Sequence, residues 1–169
     1  MQQMPIADLQ AVADELAASG ERVRVLWQEE QSLAFVARGR EYRSEFHIDP
    51  ADEVMLMVRG DMKLHYLTPE GKEEIAELAE GATIYTPAGV PHSPRFPPDA
   101  FVLVIERKRR DGEVDRFQWY CETCKALLHE EEFTVSDYNL DPVSKAYARF
   151  FDSEAARTCA ECGTVMPRP

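Results

Sequence analysis

The stretch Arg43-Ser44-Glu45-Phe46-His47-Ile48-Asp49-Pro50-Ala51-Asp52-Glu53 carries the side chains on which the reading of this chain turns. Side chains of a strand alternate between its two faces. A strand over 42–48 therefore puts Arg43, Glu45 and His47 on one face, with Tyr42, Ser44 and Phe46 on the other. A face bearing Arg, Glu and His is no ordinary dry core, because unpaired buried charge is expensive. It is either a solvent face or the wall of a polar site, and alternation alone does not choose. Asp49-Pro50 signals a turn, and Glu53 follows beyond it.

Outward from this stretch, short β-rich runs alternate with turn residues. The runs cover 23–27, 32–37, 42–48, 54–58, 63–67, 74–78, 83–86 and 101–105. Gly39, Asp49-Pro50, Arg59-Gly60-Asp61, Pro69-Glu70-Gly71, Glu80-Gly81 and Pro87-Ala88-Gly89 punctuate them. Many short strands at close spacing point to an all-β sandwich or barrel. Ahead of them, Ile6, Leu9, Val12 and Leu16 recur at helical spacing. They predict an amphipathic helix over 6–19, stopped by Gly20 and packed on the main body. A further helix is expected over 141–151, with Pro142 near its start.

The 169 residues suit one ordinary domain with a small appendage. With 44% hydrophobic and 30% charged residues the chain reads as globular rather than disordered. A formal net charge of −12 argues against binding nucleic acid or an anionic membrane. The longest apolar run, 100–105, is far short of the roughly 18 residues of a membrane span. The first residues show neither the basic region nor the apolar stretch of a secretory signal, so the expected location is the cytosol.

The four cysteines form two C-x-x-C pairs, Cys121/Cys124 and Cys159/Cys162. In a reducing compartment, two such pairs read as four thiolates on one metal. Two disulfides suit a secreted chain, and a single redox pair would leave the other two thiols idle. Residues 113–169 carry little apolar mass, and a structural metal would supply what burial cannot. The expected division is thus a barrel with its N-terminal helix over 1–112, and a metal-stapled C-terminal segment over 113–169.

Gly81–His92 reads G-x5-P-x-G-x2-H, which resembles the second cupin motif. Gly39–Gly60 is similar to the first, with Glu53 and Gly60 at the usual separation. The resemblance implies a cupin, a double-stranded β-helix or jelly-roll barrel, with a metal on His47, Glu53 and His92. Glu45 stands where cupins commonly carry another histidine, and the step from His47 to Glu53 is longer by one or two residues. Two imidazoles and one carboxylate match non-haem Fe(II) oxygenases, although zinc accepts the same donors. His65 and His129 match nothing and read as structural.

A narrower resemblance follows. The 43–53 string, Val90-Pro91-His92-Ser93-Pro94, Val104-Ile105-Glu106-Arg107 and Phe117-Gln118-Trp119-Tyr120-Cys121 are similar to the 3-hydroxyanthranilate 3,4-dioxygenase family, over roughly 22–165. That resemblance implies opening of an aromatic ring beside a hydroxyl with both atoms of O2. It implies catalytic Fe(II) on His47, Glu53 and His92, Arg43 binding substrate and oxygen, and Glu106 beside the substrate's hydroxyl and amino groups. It further implies a rubredoxin-like iron, or zinc, on the four cysteines, and a homodimer. Without the resemblance, Arg43 reads as an ion-pair partner of Glu45, and Glu106 as a strand cap.

The chain departs from the family in three places. The family's second substrate arginine lies four residues after the metal histidine; here Arg95 lies three after His92, and is the candidate for gripping a ring carboxylate. Val54-Met55-Leu56-Met57 replaces an aromatic-rich stretch, and Arg22-Val23-Arg24-Val25 a segment with an asparagine. A different ortho-aminophenol or catechol carboxylate therefore stands as an alternative substrate. A non-catalytic metal- or ligand-binding cupin and a zinc-dependent isomerase are the readings outside this chemistry.

Overall fold

The computed structural model describes residues 4–140 and 142–169. Its strands form two antiparallel sheets. One runs β1 (Val23–Glu29), β2 (Ser32–Arg38), β9 (Phe101–Glu106), β4 (Glu53–Arg59), β7 (Thr83–Thr86). The other runs β11 (Leu127–Phe133), β10 (Asp115–Tyr120), β3 (Phe46–Ile48), β8 (His92–Arg95), β5 (Met62–Leu67), β6 (Glu73–Leu78). From β2 to β10 the chain changes sheet at every step except β5 to β6. That winding makes a double-stranded β-helix, the cupin architecture.

Alternation along the strands builds the interior. Met55 and Met57 on β4, Leu64 on β5, and Val102 and Val104 on β9 meet Phe96 between the sheets. Methionine is unbranched and fills irregular space, which suits the taper of a small barrel. At the lip, β2 runs so close to the 96–98 loop that a Cβ on Gly39 would lie 2.1 Å from the Pro97 carbonyl oxygen.

Helix α1 (Leu9–Ser19) covers the outer face of the first sheet, packing Ala13 and Leu16 on Ala34, Val36, Phe101 and Leu103. The helix begins later than the 6–19 periodicity predicts. The Asp8 carboxylate accepts the amides of Gln10 and Ala11, capping the helix there and leaving Ile6 outside it, 97% exposed. Gly20 ends the helix at φ 76°, its amide bonded to Leu16 O.

The strand expected over 42–48 shrinks to β3. The Ser44 amide donates to the Tyr147 hydroxyl at 2.7 Å rather than to a neighbouring strand, so no ladder forms there. The shared face of Arg43, Glu45 and His47 is lost with it: Arg43 and His47 line the cavity described below, whereas Glu45 is fully buried elsewhere. Strands β8, β10 and β11 were not read from the sequence, and β10 hydrogen-bonds into the barrel sheet beside β3.

Residues 113–169 also hold more apolar mass than their composition promised. Phe117, Trp119, Val143, Ala146, Phe150, Phe151 and Met166 form a buried cluster of their own. Trp119 stacks on Phe150 with centroids 4.5 Å apart. Helix α2 (Pro142–Asp152) contributes four of these side chains, followed by the single turn α3 (Glu154–Arg157). Asp141, the first residue of the expected helix, lies outside the described residues. No helix among the described residues is long and apolar enough to cross a membrane.

Candidate metal centre and its cavity

Five strand positions converge on one end of the barrel. His47 lies at the centre of β3 and pairs in register with His92, the first residue of β8. Glu53 opens β4, Glu106 closes β9 and Asp115 opens β10. Ligand atoms of His47, Glu53 and His92 lie within 4.8 Å of one another. Arg43 and Glu106 line the same cavity, whose remaining wall is largely apolar, with Phe35, Met55, Pro94, Phe96 and Val104 among its side chains.

The donor set fits a cation on two grounds. First, His92 Nδ1 lies 2.9 Å from the Val90 carbonyl, which can only accept, so this nitrogen carries a hydrogen and donates it. The other nitrogen, Nε2, faces Glu53 Oε2 at 2.7 Å. A nitrogen lone pair against a carboxylate oxygen is repulsive unless a proton or a metal ion stands between them. Burial works against both ionised groups. Even so, His92 and His47 bring Glu53 down to about 2, and Glu53 raises His92. Second, four buried carboxylates, Asp49, Glu53, Glu106 and Asp115, gather around one guanidinium, that of Arg109. Such a surplus of buried negative charge calls for a cation.

Arg109 organises that cluster. It donates to Asp49 Oδ2 at 2.6 Å, to Glu106 Oε1 at 3.0 Å and to both oxygens of Asp115 at 2.7 Å. Asp115 Oδ1 in turn lies 2.8 Å from His47 Nε2. Burial, then the neighbouring Asp49 carboxylate, pushes Glu106 up to about 10, while burial and then the Glu53 carboxylate raise Asp49. This pair therefore holds a proton between them when the site is uncompensated. The sequence reading used Asp49 only as a turn residue and passed over Arg109 and Asp115. A signal was present: Asp115 alternates with Phe117 and Trp119, so it faces inward, and an inward carboxylate demands a cationic partner.

Arg95 does not reach the cavity. On β8, His92 and Pro94 face the barrel interior, so Ser93 and Arg95 face outward. The Arg95 guanidinium sits 5.8 Å over the Phe46 ring, donates to Ser93 Oγ at 3.2 Å and lies 4.0 Å from Glu73. Phe96 takes the cavity-facing position instead. His65 pairs with Glu73 at 2.8 Å and His129 packs against Trp119, both away from the cavity.

The four cysteine sulfurs also lie within 4.8 Å of one another. Cys121 to Cys162 measures 3.6 Å and Cys124 to Cys159 measures 3.5 Å. These spacings exceed any disulfide and approach the ~3.8 Å edge of a tetrahedron with ~2.3 Å metal–sulfur bonds. Two matching knuckles build the site: the Lys125 and Gly163 amides bond Cys121 O and Cys159 O, both at 2.9 Å. Lys125 and Gly163 both take positive φ, at 64° and 75°.

A double-stranded β-helix with two imidazoles and a carboxylate gathered at one end of its cavity defines a cupin with a candidate metal centre. The family model for 3-hydroxyanthranilic acid dioxygenase matches residues 19–151. A 3-hydroxyanthranilate 3,4-dioxygenase of Bacillus cereus is 36% identical over 144 residues, covering 85% of this chain and 80% of that protein. One of Paraburkholderia phytofirmans is 38% identical over 145 residues, covering 84% and 81%. Among solved structures, an RmlC-like cupin with a double-stranded β-helix fold from Methanocaldococcus jannaschii aligns over 63% of this chain and 91% of that one, at 14% identity and a TM-score of 0.45. The chain belongs to the 3-hydroxyanthranilic acid dioxygenase family.

Proposed function

We propose that this protein is a non-haem Fe(II) extradiol-type dioxygenase that converts 3-hydroxyanthranilate and O2 to 2-amino-3-carboxymuconate semialdehyde, a quinolinate precursor. The observation that carries this reading is the meeting of His47, Glu53 and His92 with Arg43 and Glu106 in one cavity of a chain from this family. In it, His47, Glu53 and His92 hold the iron. A ferrous ion there supplies a chelation point for adjacent hydroxyl and amino groups, and a route for charge between ring and oxygen.

The remaining chemistry belongs to the side chains. The apolar wall takes the ring face and keeps water from it. Arg43 offers a guanidinium to the ring carboxylate and to negative charge that develops on oxygen. The phenol must give up a proton before the ring opens. Glu106 is the carboxylate placed to accept it, held from behind by Arg109 and hydrogen-bonded to Asp49. Glu106 would be ionised, and so ready for that role, beside a bound divalent cation.

The four cysteines hold a structural iron or zinc, with no open position for substrate. Two copies form the working homodimer. The test is anaerobic loading with Fe(II), followed by 3-hydroxyanthranilate and O2. Stoichiometric oxygen uptake with a product absorbing in the near ultraviolet is expected; no uptake by fully loaded protein overturns the reading.

A second reading keeps the chemistry and changes the ring. Phe96 faces the cavity where an arginine would grip a carboxylate, and Arg95 faces away. A panel of ortho-aminophenols and catechols, ranked by kcat/KM, decides between the two.

A further inference from the structure

Glu45 is the most deeply enclosed acid of the 43–53 segment, with no exposed surface, yet it neither lines the cavity nor belongs to the group of metal donors. A carboxylate so placed needs partners on both oxygens. Its Oε1 lies 2.8 Å from Arg43 Nε, an ion pair whose contact is electrostatic rather than an aligned hydrogen bond. Its Oε2 accepts from the Tyr147 hydroxyl. That hydroxyl also accepts the Ser44 amide at 2.7 Å, so one phenol oxygen ties together the backbone beside Arg43 and the carboxylate that pairs with it.

Tyr147 comes from the middle of α2, more than one hundred residues away in sequence. Its ring is wedged among Tyr42, Trp119 and Phe151, with centroids 5.4–6.3 Å apart, and Arg40 lies over it at 6.0 Å. The aromatic cluster holds α2 in place, and Arg157 of α3, two residues before Cys159, donates to the Phe151 carbonyl at its end. A flexible arginine has many rotamers, and the contact at Nε restricts which of them this cavity-lining side chain adopts.

We propose that Tyr147 is a positioning residue for Arg43, acting through the buried Glu45 carboxylate. The cysteine-stapled segment thereby sets the orientation of a cavity guanidinium, as well as adding β10 and β11 to one sheet of the barrel. The part that concerns substrate rests on the reading of Arg43 given above; the orientation of Arg43 does not.

The experiment follows the Arg43 Nε–H resonance in zinc-loaded protein, assigned by its disappearance in Arg43→Lys. In wild type this proton, on a nitrogen enclosed beside the Glu45 carboxylate, exchanges slowly with solvent. Tyr147→Phe keeps the ring and removes the hydroxyl. It should shift the resonance and speed its exchange at least tenfold, with the melting temperature little changed. Should Tyr147→Phe fold poorly, Glu45→Gln is expected to give the same loss of protection. A resonance unchanged by the variant that folds overturns the proposal, whatever the turnover. In iron-loaded enzyme, Tyr147→Phe should raise KM for 3-hydroxyanthranilate about tenfold and leave that for 2-aminophenol, which lacks the carboxylate, within twofold. An equal rise for both overturns positioning in favour of a merely structural role. A wild type that takes up no oxygen with 3-hydroxyanthranilate overturns the functional reading alone, because the resonance still decides where Arg43 points.

Discussion

Asp115 Oδ1 lies 2.8 Å from His47 Nε2 while the same carboxylate accepts two hydrogen bonds from Arg109. A candidate metal ligand is thus oriented by an acid that is itself clamped. Partners of this kind tune ligand geometry and typically contribute ~10–100-fold to metal affinity. Asp115→Asn should weaken iron binding by about that factor, measured by competition against a graded chelator. Unchanged affinity would show that His47 is held without it.

The two arginines once grouped as substrate contacts should part company. Arg43→Ala removes a guanidinium from the cavity wall and should lower kcat/KM by roughly 10²–10³, the scale of losing a donor to developing charge. Arg95→Ala removes one from the outer face of β8 and should stay within about threefold of wild type, a change too small to require a transition-state contact. Steady-state kinetics on both variants checks the register of β8 in solution; equal losses would place Arg95 inside.

Glu106→Gln preserves the shape of the side chain and removes its capacity to take a proton. Loss of a general base costs about 10²–10⁴ in rate. kcat should fall in that range with iron content at wild-type level. A variant that keeps its rate would assign the proton to another group.

The loop that carries Arg109 has its own acid-sensitive clip. Arg107 donates to both oxygens of Glu113, at 2.6 and 2.7 Å, and this holds the Glu113 carboxyl down at about 2 against an ordinary 4.5. A depressed carboxylate contributes stability that is fully present above the unfolded value and is lost as pH falls through the folded one. Glu113→Gln should therefore lower the melting temperature by a constant amount above about pH 5, and that difference should shrink toward zero near pH 2. A difference independent of pH would mean that the charge of Glu113 is not what closes the loop.

Metal on the cysteines should matter to folding more than to chemistry. Binding energy at a structural site becomes folding energy, so Cys159→Ser should cost at least ~3 kcal/mol, or about 6–12 °C in melting temperature for a chain of this size. Differential scanning calorimetry with and without metal reads this directly. A melting curve indifferent to metal and to the substitution would make the cluster four plain thiols.

Much of this molecule was legible in its residues because the physics involved is local. Strand runs with turn residues between them marked most of the first sheet, and paired C-x-x-C spacing marked the four sulfurs. Where the sequence reading went astray, a distant partner had overruled a local rule. Tyr147 draws Ser44 and Glu45 away from strand geometry, so the alternation read over 42–48 fails just upstream of β3. Asp8 captures two amides and starts α1 late. The aromatic cluster of Phe117, Trp119 and Phe150 gives the C-terminal segment a core that its composition hides.

The residues alone determined which kinds of donor this chain owns, their order, and that its short strands form an all-β sandwich or barrel, since periodicity and turn chemistry act between near neighbours. Only the tertiary structure decided which donors meet. The junction of Arg109 with Asp49, Glu106 and Asp115, and the outward turn of Arg95, depend on how strands tens of residues apart in the chain pair and in what register. Register is settled by the packing of the whole interior: a shift by one residue exchanges the two faces of a strand, and no short segment carries enough information to prevent it.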